Sequence, residues 1–440
     1  MRTIAHIPRR LTPRAWGGTE RVLSETLPLL KRAGLDQRVL TTRALDEDPI
    51  GELGGVPVSR FTYAYPEWPL SAELRSQYDR CGGNLVSFSL ARRLYHLRDL
   101  ALVHCHTGNR LGAQCLQVAR RRGVPFVVTL HGGHFAVPEE ERRRWAHNSD
   151  GGSGRKPSAL EQFRLPWGKA LSLLWSTRTL LERADTVICV GVEEYEQARS
   201  RLRGTRVELL PGGVDPDRFA SGSRARGRRL LGVPVDAPLI VCVARLDAQK
   251  DQETLVRAWR AVGDERCHLA LVGPETEAGY ALRCRELAGS AADRIRIVEG
   301  LPSERVPDVL AAGDIAVLPS RHEPFGLSCL EAWAASTCLV ATDVGGPRWL
   351  LGDQSCGRTF PVGDSEHLAA LLRELLGDEA QRRRLEREGV RRARAEFTWE
   401  QRAERLLEIY RSLGVRWTTP VLTLPRRSDP PRALLSGGSA

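Results

Sequence analysis

Short apolar runs alternate with helix-spaced segments along almost the whole chain, and this rhythm narrows the fold more than any other feature. In the first half the runs are Thr3–Ile7, Arg38–Thr41, Ala101–His104, Phe126–Leu130, Thr186–Val190 and the short Val207–Leu210. In the second half they are Leu239–Val243, His268–Val272, Ile295–Val298, Asp314–Leu318 and Cys338–Ala341. Strands separated by helices build parallel sheets from βαβ units. The expected fold class is α/β, with two doubly wound domains of similar size, and a chain of 440 residues gives each domain enough length for its own core. The turn Pro211-Gly212-Gly213-Val214-Asp215 and the polar loop Ser221–Gly227 read as the boundary. The first domain is then residues 1–212 and the second 213–397. The tail 416–440, rich in proline, arginine, glycine and serine, reads as disordered.

The net charge is +11, yet only Lys31, Lys156, Lys169 and Lys250 are lysines, so the excess is arginine. A genome rich in G and C accounts for that bias. A basic balance also suits phosphorylated ligands or an anionic membrane surface. The chain has no compact basic helix interleaved with aromatics, so nucleic acid is not expected as a partner. The ten cysteines are scattered without a C-x-x-C pair, which points away from zinc and toward a reduced, cytoplasmic setting. The N-terminus has too short an apolar stretch for a signal peptide, and no run approaches the ~18 apolar residues that span a bilayer. Membrane contact is therefore expected to be peripheral, at the inner face of the plasma membrane. The aromatic stretch Phe61–Trp68 is one candidate for it. The stretch Trp167–Arg183, with Leu171, Leu174, Trp175 and Leu181 on one stripe, is either a packing helix or an exposed face for an acceptor or membrane. Inside the first domain, Asp150–Pro157 reads as a flexible loop.

Ligands of open parallel sheets bind outside the carboxyl ends of the strands, and unusual residues gather at such ends. Glu323-Pro324-Phe325-Gly326-Leu327-Ser328-Cys329-Leu330-Glu331 carries two carboxylates from the end of an apolar strand into a helix. A helix start offers unpaired N–H groups to a phosphate. If the segment is helical throughout, the two acids lie roughly 12 Å apart along its axis, a span suited to a sugar at one end and a ribose at the other. An ordinary buried helix with two incidental acids is the alternative. Gly17-Gly18 follows the first strand and either lets a backbone approach a phosphate or makes a tight turn. Arg245 and Lys250 follow the strand Leu239–Val243, and Lys250 is the only lysine after Lys169. A compact ammonium beside a planar guanidinium offers two differently shaped contacts to a diphosphate. Thr129-Leu130-His131-Gly132-Gly133-His134 ends a strand in glycines, so the His131 ring is expected to face the crevice as a hydrogen-bonding group rather than a metal ligand. His106, after another strand, could equally be structural. Asp46-Glu47-Asp48 and Asp215-Pro216-Asp217 resemble D-x-D metal signatures but read as turn acids, so no metal site is expected.

Taken in order, these motifs resemble the family 4 retaining glycosyltransferases. The resemblance runs through Gly17-Gly18, His131-Gly132, Pro211–Asp215 with Phe219, Arg245 with Lys250, Val272-Gly273-Pro274, Glu323…Glu331, Gly345-Gly346 and Phe397-Thr398-Trp399-Glu400…Tyr410, over residues 1–413. It implies the GT-B fold, two Rossmann-like domains facing a central cleft, with a final helix, 398–415, crossing back onto the first domain. It implies that Gly17, Gly18, Arg245 and Lys250 hold the diphosphate and that Glu331 binds the ribose. Glu323 and the backbone of Phe325, Gly326, Leu327 and Ser328 would position the donor sugar, with His131 beside it, and the loop at Gly273 would face the base. The catalytic set would be His131, Glu323, Arg245 and Lys250. The implied reaction is retaining transfer from a nucleoside-diphosphate (NDP) sugar to a hydroxyl, without metal or other cofactor. The acceptor expected is a lipid-linked or polysaccharide glycan of the cell envelope. A sugar-nucleotide epimerase and a non-catalytic sugar-nucleotide-binding protein are the rival readings on the same fold. Two positions depart from the family pattern: Gly212 stands where asparagine is usual, and Gly191 where serine is common.

Overall fold

The computed structural model describes residues 2–12, 17–66, 70–139 and 179–417. The loop Asp150–Pro157, the stretch from Trp167 to residue 178, Trp68 and the tail from 418 lie outside the described residues. The first sheet has the order β3-β4-β2-β1-β5-β6-β7-β8, with β1 Thr3–Ile7, β2 Asp36–Thr42, β3 Ile50–Leu53, β4 Val56–Phe61, β5 Leu100–Cys105, β6 Phe126–Leu130, β7 Thr186–Cys189 and β8 Arg206–Leu209. The second has the order β11-β10-β9-β12-β13-β14, with β9 Leu239–Val243, β10 His268–Val272, β11 Ile295–Val298, β12 Ile315–Leu318, β13 Cys338–Thr342 and β14 Arg358–Phe360. Every pairing is parallel except β3 with β4. The chain's direction of travel across each sheet reverses once, between β1 and β5 and between β9 and β12. Those reversals are the crevices where such sheets take ligands.

Five strands, β1, β6, β9, β10 and β11, have the boundaries that the pattern predicts. Three short strands were not legible. β3 and β4 form a hairpin whose Ile50 is exposed, and β14 has only three residues. β3 and β14 are edge strands, which bury too little surface to carry a continuous apolar run, and β4, between β3 and β2, alternates buried Val56, Val58 and Arg60 with more exposed residues.

Each sheet is packed on both faces, giving two cores in each half. Leu180 and Leu181, at the end of the Trp167–Arg183 stretch, are buried in the first domain's core. The expected linker loop Ser221–Gly227 is corrected by the structure. Ser223 caps a helix, Arg224–Leu231, and Gly227 lies so close to Asp308 that an added Cβ would sit 1.9 Å from its carbonyl oxygen. The Pro211–Asp215 turn is also packed rather than loose. A Cβ on Gly212 would meet Leu327 Cδ2 at 2.5 Å, and one on Gly213 would meet the Thr398 carbonyl carbon at 2.8 Å. Val214 forms a bridge with Thr398, so the two chain crossings between the domains run side by side. After the second crossing, the helix Trp399–Ser412 buries Trp399, Leu406, Ile409 and Tyr410 against Ile4, Leu23 and Leu27 of the first domain. The buried Arg402 donates from one nitrogen to the carbonyls of Leu210 and Pro211, fastening the helix to the linker.

The nine described cysteine side chains are buried and free. Among the described residues no helix is long and apolar enough to cross a membrane.

Candidate functional site

The cleft is built from the carboxyl ends of the central strands of both sheets. From the second sheet, β9 runs into Arg245–Asp251 and β12 into Ser320–Gly326. The two loops are tied together: Gln249 donates to the His322 carbonyl (3.1 Å), Arg321 N–H donates to the Gln249 carbonyl (2.9 Å), and the Arg321 side chain pairs with buried Asp251 (3.0 Å). This brings Lys250 and Glu323 together, Nζ to Oε2 at 2.6 Å, with both side chains largely buried. Burial alone would raise the Glu323 pKa. The charge and hydrogen bond of Lys250 outweigh it and hold the carboxyl below its ordinary value. Arg245 pairs with Asp247 (2.9 Å) and keeps a more exposed guanidinium.

Glu323 and Glu331 do not share one helix. The helix is Leu327–Ala334, and Gly326 before it has φ 92°, a left-handed conformation that favours glycine. The segment is therefore not helical throughout, and its first carboxylate sits on an extended turn. Room for that turn comes from Gly345-Gly346. A Cβ on Gly345 would lie 2.4 Å from the Glu323 carbonyl oxygen and one on Gly346 2.0 Å from that of Phe325, while Gly346 N–H donates to the Glu323 carbonyl (2.9 Å). Ser328 bonds the end of β9 through the Val243 carbonyl (3.2 Å). Phe325 is buried, and Leu327 touches the Gly212 backbone. Glu331 lies on the helix near Arg21 and Arg218. Its pKa is raised by burial, which those two arginines only partly offset. Gly273, at the end of β10, passes so close to β9 that a Cβ would meet the Ala244 carbonyl oxygen at 2.0 Å.

From the first sheet, Gly17 caps the helix Gly18–Arg32, and its N–H donates to buried Glu20 (3.1 Å). A Cβ on Gly18 would meet no atom of the described residues within 4 Å, and Gly18 itself is exposed. His131 follows β6. Burial, with a smaller contribution from Arg402, lowers its pKa to about 3, so the ring is neutral near pH 7. Its Nε2 lies 3.4 Å from His106 Nδ1. Behind it stand His6 and His104, register partners on β1 and β5. His6, His104 and His106 are close enough to suggest a metal. Both nitrogens of His104 are already engaged, with the Tyr410 hydroxyl (2.6 Å) and the Thr129 hydroxyl (2.7 Å), so the three rings do not offer three free ligand atoms. Asp46 pairs with Arg60 (2.9 Å), and Asp215 caps the short helix Pro216–Ala220, so both acidic pairs are turn acids.

The two halves touch at Pro324. A Cβ on Gly132 would lie 2.1 Å from Pro324 Cβ, and one on Gly191 would lie 2.2 Å from the Pro324 carbonyl oxygen. His322 donates to the Gly132 carbonyl (3.3 Å). The structure thus gathers Lys250, Glu323, Arg245, Gly326 and Ser328 on one wall and sets His131 on the facing one. The residues that sequence reasoning missed are the supports: Glu194, which holds the His131 loop, and His322. His322 stands at a strand end just before Glu323, the same kind of position that singled out His131. Nothing in the local sequence marks Glu194.

Known proteins match over this whole arrangement. The family described as Glycosyltransferase Family 4 matches residues 16–218, and that described as Glycosyl transferases group 1 matches residues 224–392. The D-inositol 3-phosphate glycosyltransferase of Saccharomonospora viridis is 29% identical over 411 residues, 90% of this chain and 89% of the relative. That of Xylanimonas cellulosilytica is 34% identical over 239 residues, 52% of this chain, and the match spans only 57% of that relative's length. Among solved structures, Anabaena HepE in complex with UDP-glucose superposes with a TM-score of 0.68 at 19% identity, covering 93% of this chain and 99% of that one. At that identity the likeness shows the fold, which is the GT-B arrangement of two Rossmann-like domains.

Proposed function

This chain belongs to the family 4 glycosyltransferases of GT-B fold, and from that premise we propose that it transfers a sugar from an NDP-sugar to a hydroxyl acceptor with retention of configuration. One observation carries the reading: the buried Lys250–Glu323 pair stands at the crevice of the second sheet, directly beyond the Pro324 contact with the His131 loop. Breaking the sugar–phosphate bond puts negative charge on the diphosphate and positive charge on the ring. Fixed donors that meet the developing negative charge lower the barrier. Lys250, Arg245 and the helix starts at Gly18 and Gly326 are those donors. Glu323, kept ionised, faces the sugar, and neutral His131 hydrogen-bonds beside it. Glu331 takes the ribose hydroxyls. The leaving diphosphate departs on the face the acceptor attacks and helps to deprotonate it. These charges replace a divalent ion in the proposed mechanism.

The UDP-glucose held by the Anabaena protein supports a UDP-sugar as donor. The inositol 3-phosphate named in the relatives supports a small phosphorylated polyol as acceptor. A lipid-linked envelope glycan, made at the inner face of the membrane, is the wider reading that the basic balance supports.

A thermal-shift panel of nucleotide sugars, followed by mass spectrometry of donor–acceptor mixtures with and without chelator, tests this. A donor at a hundred times its Kd adds about 2.7 kcal/mol of stability, a clear shift. A product retaining the donor's anomeric configuration, formed equally well with chelator, is expected. Absence of any shift across the panel refutes the donor site. A new sugar nucleotide formed from donor alone makes the protein an epimerase.

A further inference from the structure

The segment that follows β6, His131-Gly132-Gly133-His134-Phe135, turns its N–H groups inward onto one side chain. Gly132 N–H donates to Glu194 Oε2 (2.8 Å), and the N–H groups of His134 and Phe135 donate to Oε1 (2.9 and 3.3 Å). Gly132 has φ 89°, which makes the loop a concave nest of donors of the kind that binds anions. Here the anion is the protein's own carboxylate, and Glu194 is buried. It belongs to the first turn of the helix Val192–Arg201. The same turn makes two contacts across the cleft: Gly191 admits Pro324, and Glu193 pairs with Arg348 of the second domain (3.6 Å). On its other side, the loop that Glu194 holds meets Pro324 and His322, which flank Glu323.

We propose that Glu194 is a positioning residue for glycosyl transfer: its carboxylate sets the His131–Phe135 loop so that, in the closed cleft, His131 and Glu323 face the donor sugar in register. The inference rests on the reading of the cleft as a nucleotide-sugar site. Its logic is geometric. One turn of helix fixes the loop from below and receives the second domain from the side, so the loop and the Glu323 turn share one reference point. Gly191 is part of that device, because only a residue without a side chain lets the Pro324 carbonyl in. Displacing the loop disturbs the sugar and leaves the nucleotide contacts of the second domain alone.

Glu194→Gln separates this role from simple support of the fold, because the amide keeps the shape but turns N–H donors toward the loop's own N–H groups. In the ligand-free variant, hydrogen exchange of the amides at 132–135 is expected to accelerate at least tenfold while the rest of the first domain is unchanged. With the donor found in the panel, turnover is expected to fall on the order of 100-fold, as about 1 Å of misplacement can cost. Affinity for the nucleotide diphosphate alone is expected to stay within about threefold. Glu194→Asp, which keeps the carboxylate, should recover part of the turnover, and Gly191→Ser should lower turnover without changing exchange at 132–135. Wild-type exchange in that loop, or a loss of diphosphate affinity equal to the loss of turnover, overturns the proposal. Should Glu194→Gln fail to fold, Glu194→Asp decides alone: its carboxylate is one methylene short of reaching the Gly132, His134 and Phe135 N–H groups together, so faster exchange at 132–135 with a partial loss of turnover supports the clamp, and a loss of turnover with wild-type exchange refutes it. If the wild-type chain binds no nucleotide sugar, the function reading fails and the assigned role falls with it, while the exchange measurement still decides whether Glu194 holds the loop.

Discussion

Removing the Lys250 ammonium is the sharpest perturbation the structure offers, because its effects on catalysis and on stability can be separated. Lys250 Nζ lies 2.6 Å from Glu323 Oε2, and both side chains are largely withdrawn from water. Lys250→Met deletes the donor proposed to meet the leaving diphosphate. Loss of one such donor costs about 3 kcal/mol of transition-state stabilisation, or roughly 100- to 1,000-fold in turnover. The same change strands a buried carboxylate, which costs about 3–5 kcal/mol when one partner of a buried pair is removed. For a domain of this size that is on the order of 6–20 °C in Tm.

The double variant Lys250→Met, Glu323→Gln discards both charges and should regain most of the stability, since a buried pair often stabilises little more than a neutral replacement. It should not regain turnover. The pH dependence adds a sign test. In the wild type the Glu323 pKa is held below its ordinary value of 4.5. Its contribution to stability is therefore complete above that value and is lost as pH falls through the lower folded pKa. In Lys250→Met, burial is opposed only by the weaker pull of His322 and Arg245, and the folded pKa is expected to rise above the ordinary value. The strain of the stranded charge is then relieved as pH falls, so the variant should gain stability on acidification from pH 7 toward 5 while the wild type does not. Calorimetric melts across that range, with steady-state turnover at pH 7, check both arms. Near-normal turnover in the single variant would refute the assignment. Equal melting temperatures of single and double variants would show that the pair is not buried as described.

Two further expectations concern the other end of the cleft and the crossing helix. The Glu331 pKa is raised by burial, so in its proposed role toward the ribose, nucleotide affinity should weaken on acidification from pH 7 sooner than for an ordinary carboxylate, and titration calorimetry should find that slope absent in Glu331→Gln. Arg402→Met removes the charged donor that fastens the final helix to the Leu210 and Pro211 carbonyls, each such bond contributing about 1.5–3 kcal/mol. Urea unfolding should lose about 2–4 kcal/mol, and a midpoint unchanged from the wild type would show that the apolar face of the helix suffices alone.

The arrangement of the cleft explains why the two family departures belong together. Gly191 and Gly212 both lie where the Pro324–Leu327 segment presses against the first domain, and at each a Cβ would come within 2.5 Å of that segment. A serine and an asparagine at those positions need a wider gap. In this chain the turn bearing Glu323 is seated directly on backbone.

The sequence by itself determined the parallel two-sheet architecture and the wall that carries Arg245, Lys250 and Glu323…Glu331. Buried parallel strands are continuous apolar runs, and a lone lysine or a strand-to-helix acid is visible in one dimension. It did not determine what those groups touch. That the Lys250 ammonium lies on Glu323 and that the Pro211–Asp215 turn is packed follow from contacts between segments some seventy or more residues apart, and the Glu323–Gly326 turn that breaks the supposed helix is seated on Gly345-Gly346 some twenty residues further on. The polar core of His6, His104 and Tyr410, and the hold of Glu194 on the His131 loop, were also decided only by tertiary structure. A buried polar side chain gets its partner from the segment that folds over it, and nothing in its own neighbours in sequence records which segment that will be.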